Sequence, residues 1–250
     1  HWPQIRAEAL ALHASGALDA TSQPGSAGYH DVGFRTFYRR GWKKFYLRWY
    51  GAPHRSAQRL CPRTLRLLAQ VPGIRGAMFS VLPPGAELSL HSDPLACSLR
   101  YHLGLVTPND DGCFIDVDGH ALSWRDGQDF VFDETYPHYA RNDTDALRLI
   151  LMCDVERPMH VAGRAFNRVY ALLARALVVP NTPEDRRGAL TAVFAAIAPW
   201  RMRGLALKAR NRSLYRLLKY ALNLTLVLLA FLPVYAALKW LERAGSVAIF

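Results

Sequence analysis

The sequence predicts a mainly β fold, a sandwich or barrel of the jelly-roll type, flanked by helices and followed by a membrane-associated helical tail. Three observations carry this. From Ala77 to Asp154 short apolar runs alternate with the turn signals Asp110-Asp111-Gly112, Asp118-Gly119 and Asp126-Gly127, the pattern of short strands joined by tight turns. Regular short strands of this kind suit a jelly roll. The flanks carry helical patterns instead, and Tyr220 to Leu238 is free of charged residues, about the length that crosses a bilayer core.

Residues 1–20 read as a helix, with Trp2, Ile5, Ala9, Leu10 and Leu12 among helix formers. Gln23 to Gly28 is a Pro/Gly/Ser loop. Arg35 to Tyr50 is dense in aromatics and cations, among them Phe37, Tyr38, Arg39, Arg40, Trp42, Lys43, Lys44 and Trp49. It suits a strand pair with solvated cations, or an edge that meets phosphorylated lipid. Ser56 to Gln70 reads as a helix entering the β core, and Val161 to Val179 as a helix leaving it. Pro180 to Gly188 is a polar break, and Ala189 to Pro199 is apolar and alanine-rich.

A basic stretch follows, with Arg201, Arg203, Lys208, Arg210, Arg212, Arg216 and Lys219, and no acid from Arg186 through Leu241. It directly precedes the uncharged run. Positive flanks stay in the cytoplasm, so the expected placement is the cytoplasmic membrane with the β core facing the cytoplasm. Asn223 and Pro233 interrupt the apolar run, and a buried or interfacial helix is the other reading. The expected organisation is a catalytic domain over 1–160, a basic helical region over 161–219 and a membrane-embedded helix over 220–238. The chain opens on His1 and shows no signal-peptide pattern; a further N-terminal anchor stays open.

Composition narrows the function classes. A hydrophobic content of 51% over 250 residues excludes a disordered chain and permits a sizeable core. The 31 basic and 20 acidic residues give a net charge of +11, which favours an anionic partner, either lipid or nucleic acid. No nucleic-acid motif accompanies the cations, so the expectation is lipid and no nucleic acid. Cys61, Cys97, Cys113 and Cys153 lack metal-site spacing and read as reduced thiols.

The chemistry sits between Met78 and Pro158. It holds His91-Ser92-Asp93, then Ser98 to Leu105, then Phe132 to His138, and finally Arg148 inside the apolar run Leu147 to Cys153. Residues i and i+2 of an extended segment point the same way, so His91 and Asp93 can bind one metal from one strand edge. His138 supplies a second imidazole from a distant strand. A 2-His-1-carboxylate set occupies one face of Fe(II) and leaves the rest for cosubstrate and O2. Arg148 suits a carboxylate of 2-oxoglutarate, through paired charge-assisted hydrogen bonds. An isolated His-x-Asp is also a common loop hydrogen bond.

The wider wording resembles the aspartyl/asparaginyl β-hydroxylase family, and within it the bacterial branch that hydroxylates a secondary acyl chain of lipid A. The resemblance rests on Gly41 to Gly51, Leu82-Pro83-Pro84-Gly85, His91-Ser92-Asp93-Pro94, Leu99 to Pro108, Trp124-Arg125-Asp126-Gly127, Phe132 to His138 and Cys153 to Pro158. It implies a double-stranded β-helix of the cupin-like kind. It implies that His91 and His138 bind iron, with Asp93 completing a triad that the animal protein hydroxylases lack. Arg148 and Ser80 match residues that hold the distal carboxylate of 2-oxoglutarate. Arg100 and His102 match those near its metal-binding end. The implied partner is lipid A or a related anionic acylated lipid; ornithine lipid, a protein Asp/Asn side chain and a non-enzymatic cupin-like scaffold remain alternatives.

Overall fold

The computed structural model describes residues 1–23, 25–29, 31 and 41–247, and beyond Leu232 the side chains of Tyr235 and Lys239 only. Phe37, Tyr38, Arg39 and Arg40 lie outside the described residues. The chain divides into two compact units, residues 1–194 and residues 195–250.

The first unit opens with α1 (Trp2–Ala14) and α2 (Ala17–Ala20). The single helix expected over 1–20 breaks at Gly16, whose φ of 72° is left-handed and ends the first helix as glycine does at low cost. Ile5, Ala9 and Leu12 recur at helical spacing and are buried. The helix expected over 56–70 is likewise two, α3 (Arg55–Leu60) and α4 (Pro62–Ala69). Pro62 lacks the N–H that would continue α3, and its fixed φ suits a first helical turn.

Among the described residues nine strands follow: β1 (Lys43–Trp49), β2 (Ile74–Leu82), β3 (Glu87–His91), β4 (Ser98–Val106), β5 (Cys113–Val117), β6 (His120–Ser123), β7 (Asp129–Phe132), β8 (His138–Asn142) and β9 (Arg148–Glu156). They form a five-stranded sheet ordered β1-β2-β9-β4-β7 and a four-stranded sheet ordered β3-β8-β5-β6. Every strand pairing is antiparallel. From β2 onward the chain passes back and forth between the two sheets, which is a double-stranded β-helix. Asp118-Gly119 closes the β5–β6 hairpin with positive φ at both residues (51° and 83°), the type I′ geometry that such dipeptides favour.

The inner strands of the larger sheet are buried on both faces, and β9 shows it best, being buried from Arg148 through Asp154. Its odd residues Leu149, Leu151 and Cys153 join Phe45, Leu47, Phe79, Val81 and Leu105 in a core closed by the N-terminal helices. Its even residues Ile150 and Met152 join Met78, Leu82, Cys113, Ile115, Trp124 and Ala140 in a second core between the sheets. Each fully buried Leu or Phe contributes about 1.5–3 kcal/mol, so both faces fix the strand register. Gly104 on β4 is required by a close approach, since a Cβ there would lie 2.0 Å from the Arg125 carbonyl oxygen.

After β9 come α5 (Val161–Ala176), α6 (Ala189–Arg210) and α7 (Arg212–Val247). α6 continues past Pro199, the expected end of its apolar stretch. In α7 the segment Arg212–Leu232 is long and apolar enough to cross a membrane and is unburied; it begins before the Tyr220 boundary expected from charge alone. All four cysteines are buried and free of disulfides.

Candidate active site

The two sheets enclose a cavity of about 290 Å³. All the candidate metal- and cosubstrate-binding residues line it: Ser80, His91, Asp93, Arg100, His102, His138 and Arg148. They arrive from five strands and one loop, and alternation explains the choice of face. Arg100 and His102 share parity on β4, where they pair with Asp154 and Met152 of β9. Arg148 shares parity with those two β9 residues, so its side chain joins them on the inner face.

At one end β3 and β8 place His91 directly opposite His138, with ring centroids 4.2 Å apart. Each ring is held in the same way. The Nδ1 of His138 lies 2.9 Å from the Tyr136 carbonyl, and that of His91 lies 2.8 Å from the Ser89 carbonyl. A carbonyl only accepts, so in both rings Nδ1 carries a proton and donates. Metal-binding histidines are commonly tethered in this manner. Burial lowers the pKa of His138, which favours the neutral ring that can ligate.

Asp93 stands beside them, but its carboxylate points to Arg100, with Oδ2 3.3 Å from Nη2. Among the described residues no three His, Cys, Asp or Glu side chains are already arranged around one point. The structure therefore brings the two imidazoles together and leaves Asp93 on an arginine. The donor set of two imidazoles tethered through Nδ1 with an adjacent carboxylate fits Fe(II).

Arg100 is the hub of this end. It pairs with Asp93, Glu134 and Asp154, the last at 3.0 Å. Burial opposes its charge, but Asp154, Glu134 and Asp93 outweigh that and raise its pKa. Burial raises Glu134 to about 8, with Asp154 adding to the shift and Arg100 opposing it. Ser98 donates to Glu134 at 2.7 Å. Glu134 and Asp154 have no role that the sequence alone assigns. A signal exists for Asp154, a charge within a buried strand, as for Arg148.

At the other end Arg148 is 1% exposed. It donates to Ser80 Oγ at 3.3 Å, and its guanidinium lies 4.4 Å from the Trp124 ring and 5.1 Å from Trp42. No carboxylate pairs with it among the described residues, and its Nε is buried without a hydrogen bond. Burial accordingly pulls its pKa down to about 10.

His102 lies in the same cavity. Trp124 Nε1–H donates to its Nδ1 at 3.3 Å, so Nε2 carries the proton, and that atom too is buried without a partner. Burial, then Arg148 and Arg100, hold His102 well below its usual pKa. The cavity thus presents a guanidinium and a neutral imidazole N–H, neither paired with a carboxylate among the described residues. Those donors fit a dicarboxylate such as 2-oxoglutarate.

An ornithine lipid ester-linked acyl 2-hydroxylase of Rhizobium tropici is 36% identical over 144 residues, 57% of this chain and 50% of that protein. The human aspartyl/asparaginyl β-hydroxylase is 33% identical over 122 residues, 47% of this chain and 16% of that protein. The chain thus spans half the length of the first relative and a small part of the second. Among solved structures, a Pseudomonas putida prolyl-4-hydroxylase aligns with 62% of this chain and 87% of its own at 19% identity and a TM-score of 0.43. Residues 1–158 match the family described as aspartyl/asparaginyl β-hydroxylase, and the chain belongs to that family.

Proposed function

We propose that this chain is an Fe(II)- and 2-oxoglutarate-dependent dioxygenase that hydroxylates C2 of a secondary fatty acyl chain of lipid A at the cytoplasmic membrane. The observation that carries the cosubstrate is Arg148, a fully buried cation without a carboxylate partner among the described residues, at the end of the cavity away from the paired histidines.

His91 and His138 would hold the iron, with Asp93 as the neighbouring carboxylate. Fe(II) held there would supply, with O2 and 2-oxoglutarate, the oxidising power for C–H hydroxylation, with succinate and CO2 as co-products. Arg148 and Ser80 take the distal carboxylate of 2-oxoglutarate. His102 donates its Nε2–H, and Arg100 holds Asp93 in position near the metal-binding end. Trp42 and Trp124 close the guanidinium off from water, which strengthens its grip on the carboxylate. Leu88, Ile115, Ile150 and Met152 give the same cavity an apolar wall, suited to an acyl chain. The apolar segment Arg212–Leu232 supports residence at a membrane, and its basic flank supports a cytoplasmic catalytic unit.

The alternative substrate with its own support is ornithine lipid, the substrate in the name of the Rhizobium tropici relative. Purified full chain in detergent micelles, supplied with Fe(II) and 2-oxoglutarate, should form succinate faster when acylated lipid is added. His91→Ala and His138→Ala should abolish that succinate. Turnover indifferent to both histidines would end the iron assignment.

A further inference from the structure

Beside the active-site cavity lies a wider groove of about 1000 Å³. Its floor comes from β1, the segment 50–55 and β2, and its walls come from α5 and the segment 178–188. Seven arginines reach into it: Arg48, Arg55, Arg75, Arg168, Arg175, Arg186 and Arg187. Among the described residues only Arg75 has a carboxylate partner, Glu156. Arg48 is lowered in pKa by burial and then by the charge of Arg75, and its Nε is buried without a hydrogen bond. Holding these cations together costs electrostatic free energy unless an anion joins them. Arginine forks match the geometry of phosphate oxygens.

Two further features give the groove a direction. Trp49 and Tyr170 border both the groove and the active-site cavity, so the two spaces adjoin at these side chains. Tyr170 stands edge-on to Tyr50, whose hydroxyl bonds Asp154 of the catalytic cluster. α5, which supplies Tyr170, is divided into three sectors. Asn167 and Ala174 are buried, and Asn167 ties the helix to the Cys97 carbonyl. Arg164, Arg168 and Arg175 share a second edge at helical spacing. Val161, Phe166, Val169, Leu172 and Leu173 form the third and are each more than half exposed. An apolar stripe beside a cationic edge is how a helix lies in the headgroup layer of a membrane.

We propose that the arginine groove is the headgroup subsite for a phosphate-bearing lipid, seating its phosphate while one of its acyl chains passes Trp49 and Tyr170 into the active-site cavity. The proposal rests on the lipid-hydroxylase reading above and adds the chemistry of the headgroup. It sets phosphorylated lipids apart from amino-acid lipids, which carry no phosphate to fill the groove.

Two measurements on the full chain test it. In mixed micelles the KM for a diphosphorylated, acylated disaccharide lipid should rise at least about tenfold in R168E/R186E, the scale of lost charge-assisted contacts. The same lipid stripped of its phosphates should show no such change. R63E/R66E, whose side chains line neither cavity, serves as the control for net charge. Equal effects on both lipids, or an equal effect of the control pair, would overturn the proposal. The second measurement needs no turnover. Phenylglyoxal labelling of Arg168 and Arg186, mapped by mass spectrometry, should be slowed by micelles of the phosphorylated lipid. The dephosphorylated lipid should give no protection, nor should inorganic phosphate at the same phosphate concentration. Protection by either would remove the lipid phosphate as the occupant. Because labelling is independent of catalysis, failure of the groove and failure of the hydroxylase reading give different results.

Discussion

Arg148→Met tests how the cavity holds its cosubstrate. Burial moves the Arg148 pKa from 12.5 to about 10. At about 1.4 kcal/mol per pKa unit this is a penalty of about 3 kcal/mol for keeping the charge in the cavity. The rings of Trp124 and Trp42, at 4.4 and 5.1 Å, return about 1–2 kcal/mol. Methionine fills much of the space and removes the charge, so without ligand the variant should unfold within about 1 kcal/mol of the parent, on the stable side if either. The ligand effect should be the reverse. Saturating 2-oxoglutarate at a hundred times its Kd stabilises a binding-competent protein by about 2.7 kcal/mol. Loss of charge-assisted contacts worth about 3 kcal/mol weakens binding by more than about a hundredfold. Thermal unfolding in detergent without O2, with and without 2-oxoglutarate, reads both terms. The parent should show a ligand-dependent rise in Tm and R148M none. A variant that keeps the rise, or that loses several kcal/mol without ligand, would refute the cosubstrate role and make the arginine structural.

Other perturbations follow from the same structure. Arg100→Leu leaves Glu134 and Asp154, 4% and 3% exposed, without their cation, and should cost about 3–5 kcal/mol in denaturant unfolding; a near-neutral result would show that the hub does not hold the site together. Gly104→Ala sets a methyl group 2.0 Å from the Arg125 carbonyl and should lower stability by at least about 2–3 kcal/mol, whereas an unchanged midpoint would contradict the packing of β4 against the segment before β7. His54 and His102 are both lowered in pKa, each chiefly by burial. The unfolded chain therefore takes up their protons first as pH falls, and stability is full above about pH 6.5 and declines below it. Unfolding midpoints from pH 8 to 5.5 should show that decline, and His54→Gln should flatten it; a midpoint that rises on acidification would reverse the sign of the argument.

Much of the site is legible in the sequence because strands make spacing into geometry. His91 and Asp93 two apart, Arg100 and His102 two apart, and a lone arginine in an apolar strand each point to a face by spacing alone. Register across strands is not legible in this way. Nothing local says that His91 lies opposite His138, or that Arg100 pairs with Asp154 on one side and reaches Glu134 from the segment before β8. Nor does spacing show that Arg100 stands beside Asp93. The helix breaks at Gly16 and Cys61-Pro62 carry their signals in glycine and proline, whereas Pro199 carries the same signal and α6 runs through it. The arginine groove is hidden in the sequence for a related reason. Its cations come from five separate segments, so no basic run marks it.

The most direct test of the central claim is mass spectrometry of total lipids from cells with and without this chain. The account predicts one added oxygen at C2 of a secondary acyl chain of lipid A, absent in cells carrying His91→Ala. Unchanged lipid A would contradict it, and an added oxygen on ornithine lipid alone would keep the chemistry and replace the substrate.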